Sequence, residues 1–237
     1  MNQSSLAFLA EASLYERVLN DLAYIWKLCA GLSMGLKYTL GLFFITAVLS
    51  LPFGLALALL RNSRVRGMRG AVNFYVWLLR GTPLLLQLFF VYFGLPNLPF
   101  VGKYLVFSRF PAACIAFVLN YAAYFCEIFR GGLLSVDIGQ HEAARVLGLS
   151  RAHTLFRVVM PQMLRISLPA ISNECITLVK DTALVISISV TEVLFFAKNA
   201  VNRDVNATAY GVAAVFFLLM NVVLTYLFRY LEKRTAF

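Results

Sequence analysis

Five stretches of this chain stay apolar for longer than a soluble core helix requires, and short polar segments separate them. Tyr38–Leu60 is 23 residues without a charge, enough helix to cross about 30 Å of hydrocarbon. Gly70–Pro96 is the second, interrupted by Arg80-Gly81-Thr82-Pro83. Phe110–Cys126 supplies 17 charge-free residues, extended at the inner end by Glu127 and Arg130. Ile166–Val190 is the fourth and carries Glu174, Lys180 and Asp181; Val205–Phe228, with 24 uncharged residues, is the fifth. Pro52 and Gly54 are tolerable inside a membrane helix. Pro83 removes a helix hydrogen bond and disfavours helix at Thr82, so a kinked or broken helix is predicted there. Arg80 is costly in lipid and should face protein, water or the interface. Arg80, Gly81 and Pro83 read either as a kink with a snorkelling arginine or as a gate hinge.

The polar loop at about 135–165 has a pattern of its own. Asp137 can cap a helix with Gln140 three residues on, as in a capping box, and Gly148 can end it in a left-handed turn. Ile138–Leu147 would then be a rod of roughly 15 Å. Glu142 falls in its first turn, where an acid complements the positive helix end. Ser150 caps a second helix whose Ala152, Leu155, Phe156 and Val159 recur at i, i+3, i+4, i+7. A short docking helix is expected, followed by one lying on the membrane surface. Elsewhere, Tyr15–Leu32 carries Glu16, Arg17, Asp21 and Lys27, too many charges for a span. Both an interfacial amphipathic helix and a partly disordered lead-in fit it. Thr191–Asp204 is a polar external segment with a short helix at Val193–Ala197.

Composition agrees with an all-α membrane protein of five transmembrane helices. The 237 residues are 61% hydrophobic and 14% charged, with mean hydropathy +0.78, against about 25% charged in soluble domains. The net charge of +10 does not point to nucleic acid, because the basic residues lie between apolar runs. They report orientation instead. Twelve of the 21 lysines and arginines fall in the segments placed inside, seven outside and two within spans. The N-terminus is therefore expected outside and the C-terminus in the cytoplasm, with residues 1–35 a lead-in, 36–231 the transmembrane domain and 232–237 a cytoplasmic tail. Cys29, Cys114, Cys126 and Cys175 form no CxxC, and His141 and His153 lie near none of them, so no metal site is expected. No signal peptide is visible, since Glu11 precedes the first basic residue, Arg17.

The candidate chemistry lies in the spans. Glu127 and Arg130, three apart, can pair on one helix face. Asn173, Lys180 and Ser187 recur every seven residues, with Glu174, Thr177 and Asp181 on an adjacent stripe. Ionisable groups in a membrane face a cavity or a partner. Asn173, Glu174, Lys180 and Asp181, with Glu127 and the weaker candidate Asn120, would line a substrate path. Alternatively the charged groups form a salt-bridged hub with Glu127 or Arg130, the reading the sequence favours. A membrane-embedded enzyme using Glu127, Glu174 or Asp181 would need a nucleophile or metal cluster that is missing, so no catalytic residue is assigned. A phosphate-binding loop is missing too, because Asn97 stands where Gly102-Lys103 would need its first glycine.

Glu142-Ala143-Ala144, Gly148, Val158 and Met160-Pro161 resemble the EAA loop of ATP-binding-cassette importer permeases, E-A-A-x3-G-x9-I-x-L-P. Val158 replaces Ile and Met160 replaces Leu. Arg80-Gly81-Thr82-Pro83, Glu127-Ile128-Phe129-Arg130-Gly131-Gly132 and Leu178-Val179-Lys180-Asp181-Thr182 are similar to the polar amino acid uptake branch. The likeness runs from about Leu36 to the C-terminus. It implies a type I permease fold in a bacterial inner membrane, for polar or charged amino acids. An amino acid derivative or opine is the alternative cargo, and a passive channel, which needs no docking helix, the remote one. It also implies an ATPase homodimer docked on Glu142, Ala143, Ala144, Gly148 and Pro161, a second identical or similar permease, and an extracytoplasmic solute-binding protein. ATP and magnesium would sit on the ATPase, with no cofactor on this chain.

Overall fold

A backbone in lipid must satisfy its N–H and C=O groups within itself, so the long apolar runs become helices. The computed structural model describes residues 3–63 and 65–235, and every regular element among them is helical. Arg64, counted above among the inner arginines, lies outside the described residues. The helices are α1 (Gln3–Ser33), α2 (Leu36–Arg61), α3 (Arg66–Gly81), α4 (Leu84–Phe89) and α5 (Arg109–Ser135). They continue as α6 (Ile138–Val146), α7 (Arg151–His153), α8 (Met160–Asp181), α9 (Val193–Asp204) and α10 (Thr208–Thr235). α2, α5 and α10 are each long and apolar enough to cross a membrane. Two bent pairs raise the number to as many as five: α3 with the α4 segment at 106°, and the α7–α8 run with α9 at 54°.

α5 is the centre of the bundle. Of its most apolar stretch 61% is buried, against 39% for α2 and 11% for α10, so α10 is the helix left open to its surroundings. α2 lies along α5 at close range, and Gly54 makes that possible. A Cβ there would stand 2.7 Å from Phe125 Cβ and 2.9 Å from the Ala122 carbonyl. Phe117, Tyr121 and Phe125 are fully buried in the main core. A second, smaller core joins Leu28 and Leu32 of α1 to Val193 and Ala197 of α9 and Ala209 of α10.

That smaller core bears on two of the sequence readings. Of the two alternatives for the lead-in, a helix is found among the described residues, Gln3–Ser33, and its C-terminal part is seated on α9 and α10, with Tyr24 Oη donating to Asp204 Oδ2 at 2.9 Å. The expected short helix at Val193–Ala197 runs on to Asp204. Glu192, 1% exposed, caps it by accepting from the Leu194 and Phe195 N–H groups at 2.8 Å each. Ala197 and Ala200 then bury against their neighbours.

The surface helix after Ser150 also differs. It does not end before the fourth span; it winds into it. Thr154–Val159 is π-helical, and Met160 opens α8 with Pro161 directly after the π turn. The wider winding breaks the 3.6-residue stripe. Thr154, Val159 and Met163 are buried, whereas Phe156 is 57% exposed. At its far end α8 passes into a 3-10 stretch, Thr182–Ile188, so Ser187 leaves the seven-residue register of Asn173 and Lys180.

Candidate functional site

Asp137 caps α6, its Oδ1 accepting from the Gly139 N–H at 2.6 Å. Gln140 does not complete a capping box; its Oε1 accepts from Gln162 Nε2 at 3.1 Å, which ties α6 to the start of α8. Gly148, at φ +72°, closes the helix. The Gly148 N–H donates to the Arg145 carbonyl and the Leu149 N–H to the Ala144 carbonyl, both at 3.0 Å, a Schellman closure. Ser150 Oγ accepts from the His153 N–H at 3.3 Å and starts the next helix. Both ends of α6 are therefore fixed, and it is a rigid rod.

The rod's faces differ. Ala144, 3% exposed, turns inward, so only Ala143 of the alanine pair offers close approach from outside. Glu142 is the fifth residue of α6, one turn later than expected, and it is exposed. Ile138, Glu142 and Val146 share one stripe at i, i+4, i+8. Ile138 is 73% exposed, Val146 88% and the adjoining Leu147 75%. An apolar stripe around one carboxylate, held out on a stiff helix, marks a docking surface. Beside it, His141, Arg145, Leu149, Ser150, Arg151, Thr154 and Leu155 line a cleft of about 870 Å³. Pro161 is exposed at the start of α8, next to the Gln162 that bonds α6.

A second constellation sits at the same end of the bundle. Glu127, its side chain 17% exposed, receives Arg61 Nη1 at 2.5 Å and Arg130 Nε at 2.7 Å. Arg80 Nη1 stands 3.5 Å from it, and the guanidinium lies 5.2 Å from the Tyr124 ring. The expected Glu127–Arg130 pair is present, joined by two arginines from other helices. The α3–α4 break has its own support. Pro83 has no N–H to give to the Leu79 carbonyl. Gln87 Nε2 fills that role at 2.8 Å, and Asn120 Nδ2 approaches the same oxygen at 3.2 Å while bonding Gln87 Oε1 at 3.0 Å. Thr82 Oγ1 bonds the Leu78 carbonyl at 2.9 Å. Gly81 is exposed. Asn120 is buried, and its amide is occupied by this corner.

The third group lies on α8. Asn173, Thr177 and Lys180 are exposed, and Glu174 and Asp181 half-buried. Asp181 Oδ2 accepts from Tyr121 Oη at 2.7 Å. The hub with Glu127 or Arg130 is not formed: Glu127 is held by arginines of α2, α3 and α5, and Asp181 by a tyrosine. Lys180 makes no ion pair among the described residues. Sequence reasoning missed Arg61, Gln87, Tyr121 and Gln162 as partners. Each pairs across at least 22 residues of chain, where no periodicity leads. No group of His, Cys, Asp and Glu suited to a metal occurs among the described residues.

An all-helical membrane chain that holds out a capped docking helix has the build of an importer's transmembrane subunit, the type I permease fold. Residues 50–237 match the family of binding-protein-dependent transport system inner membrane components, and the chain belongs to it. The L-cystine transport system permease protein TcyB of Bacillus subtilis is 38% identical, over 88% of this chain and 87% of that protein. The octopine transport system permease protein OccM of Rhizobium radiobacter is 35% identical, over 90% and 89%. HisM of Escherichia coli K12, a histidine/lysine/arginine/ornithine permease protein, is 37% identical over 84% and 87%. A solved amino acid ABC transporter is similar at TM-score 0.81 and 30% identity, covering 91% of this chain and 97% of its own. The MetNI methionine ABC transporter, at 18% identity and TM-score 0.71, shares the fold. The chain is a transport subunit and not an enzyme; it works in a complex with a separate ATPase and a solute-binding protein.

Proposed function

We propose that this permease imports amino acids, polar or charged ones above all, across a bacterial cytoplasmic membrane. The observation that carries the coupling is the exposed stripe of Ile138, Glu142 and Val146 on a doubly capped α6. A rod fixed at both ends transmits displacement from a partner that opens and closes, where a loose loop would absorb it. The partner is a cytoplasmic ATPase pair, which holds the ATP and magnesium; this chain binds no cofactor. Closure of the pair moves α6, and the bundle turns its cavity outward to receive solute from the binding protein. A second permease, identical or similar, completes the core. The N-terminus lies outside and the C-terminus in the cytoplasm. Residues 1–35 are the lead-in, 36–231 the transmembrane domain and 232–237 the tail.

The polar face of α8 supports a path for a zwitterion. Lys180 suits a carboxylate, Glu174 and Asp181 suit an ammonium, and Asn173 suits either. Octopine, cystine and the cationic amino acids named for the relatives all present both groups, which supports the substrate class. An opine as cargo is the second reading, favoured by the octopine relative. Uptake of labelled arginine, histidine and cystine by cells expressing the whole transporter tests the proposal. Saturable uptake, inhibited by unlabelled amino acids and not by sugars, is expected. Uptake of a sugar alone would refute it.

A further inference from the structure

We propose that a pocket at the α6 end of the bundle binds the phosphate of an anionic phospholipid. Arg61 of α2, Arg69 and Asn73 of α3, and Arg130, Leu133 and Leu134 of α5 line a cavity of about 260 Å³. Its lining contains no acid. The nearest carboxylate, Glu127, is shared by Arg61, Arg80 and Arg130, so one negative charge answers three positive ones. Arg69 adds a fourth, exposed and without an ion pair among the described residues. One turn along α3, Asn73 offers amide donors beside it. Guanidinium forks match phosphate oxygens two at a time.

The rim is what distinguishes a lipid from a free anion. Leu134 is 72% exposed and Leu133 lies next to it, so acyl chains leaving the phosphate meet apolar surface at once. α3 also exposes Phe74 at 60% and Trp77 at 69%, their rings 5.9 Å apart. Such aromatics sit at the membrane–water boundary. Basic pockets between membrane helices on the cytoplasmic side take anionic headgroups. The geometry therefore places a phosphodiester among the arginines, with its tails along the leucines. None of this depends on which solute is carried.

Native mass spectrometry of the intact purified transporter, titrated with phosphatidylglycerol or phosphatidylcholine, tests the site. Phosphatidylglycerol should be retained over phosphatidylcholine, and Arg69→Gln should lower that retention roughly 10-fold, the size of one lost charged hydrogen bond. Asn73→Leu gives a second variant, with a smaller loss in the same direction, should Arg69→Gln assemble poorly. Millimolar inorganic phosphate should leave the lipid bound; displacement by it would make this a free-anion site and overturn the lipid assignment. Equal retention of the two lipids, or no loss in either variant, would overturn the pocket. So would shielding of Arg69 from an arginine-selective reagent by the ATPase subunit in lipid-free complex, since it would assign the surface to a protein partner.

Discussion

At the α3–α4 break, Gln87 does what the backbone cannot. Pro83 leaves the Leu79 carbonyl without its helical donor, and Gln87 Nε2 supplies a hydrogen bond at 2.8 Å. Asn120 then bonds both Leu79 and Gln87 and locks the corner to α5. Gln87→Leu keeps the side chain's bulk and removes the donor. It should cost about 0.5–1.5 kcal/mol, the range for one hydrogen bond lost where Asn120 still donates to the same carbonyl. Thermal unfolding of the detergent-purified complex would register this as a lower midpoint, and an unchanged midpoint would remove Gln87 from that role. Pro83 and Thr82 announce the break by rules of local chain geometry, so the corner is legible in the sequence. Its repair is not, because Asn120 lies 33 residues beyond Gln87 and only the packing of α5 brings it near.

At the scale of elements, α8 keeps its acids and its lysine apart. Asp181 is bonded to Tyr121, whereas Lys180 is exposed and pairs with no acid among the described residues. Breaking a buried ion pair by removing one member costs about 3–5 kcal/mol. Lys180→Ala breaks none among the described residues, so the folded complex should form in normal yield. Competition among labelled amino acids should show altered selectivity or affinity. A collapse in yield would restore the hub that the sequence favoured. The caps of α6 and α7 were legible because Asp137, Gly148 and Ser150 act on their own neighbours. The π winding over Thr154–Val159 was not. It buries Thr154 and exposes Phe156, which the 3.6-residue pattern places on the apolar stripe, while Val159 of that stripe stays buried. Likewise α9 outruns its sequence signal because it is completed by contact with α1 and α10, and not by its own pattern.

For the whole molecule, the arginines predict the orientation. The stretches 61–69, 130–165 and 229–234 carry 12 of the 21 lysines and arginines, the asymmetry expected of segments on the cytoplasmic side. Val65 and Lys103 are both exposed, one between α2 and α3, the other before α5. In a background without Cys29, Cys114, Cys126 and Cys175, a membrane-impermeant thiol reagent should reach Lys103→Cys in intact cells and leave Val65→Cys unlabelled until the cells are opened. Labelling of Val65→Cys from outside would invert the topology and remove α6 from the side where an ATPase can reach it. The most direct measurement of the coupling itself concerns Glu142, exposed at the middle of the α6 stripe. Glu142→Lys breaks no ion pair or side-chain hydrogen bond among the described residues, so the bundle should reach the membrane in normal amount. The substitution sets a cation where the ATPase is expected to offer a donor. Loss of a buried charge partner costs about 2–5 kcal/mol, a fall of roughly 30-fold or more in docking. Membrane yield, ATPase copurification and labelled amino acid uptake are to be read from the same cells. Normal yield with the ATPase lost and uptake abolished is the expected result, and wild-type uptake with the ATPase retained would contradict it.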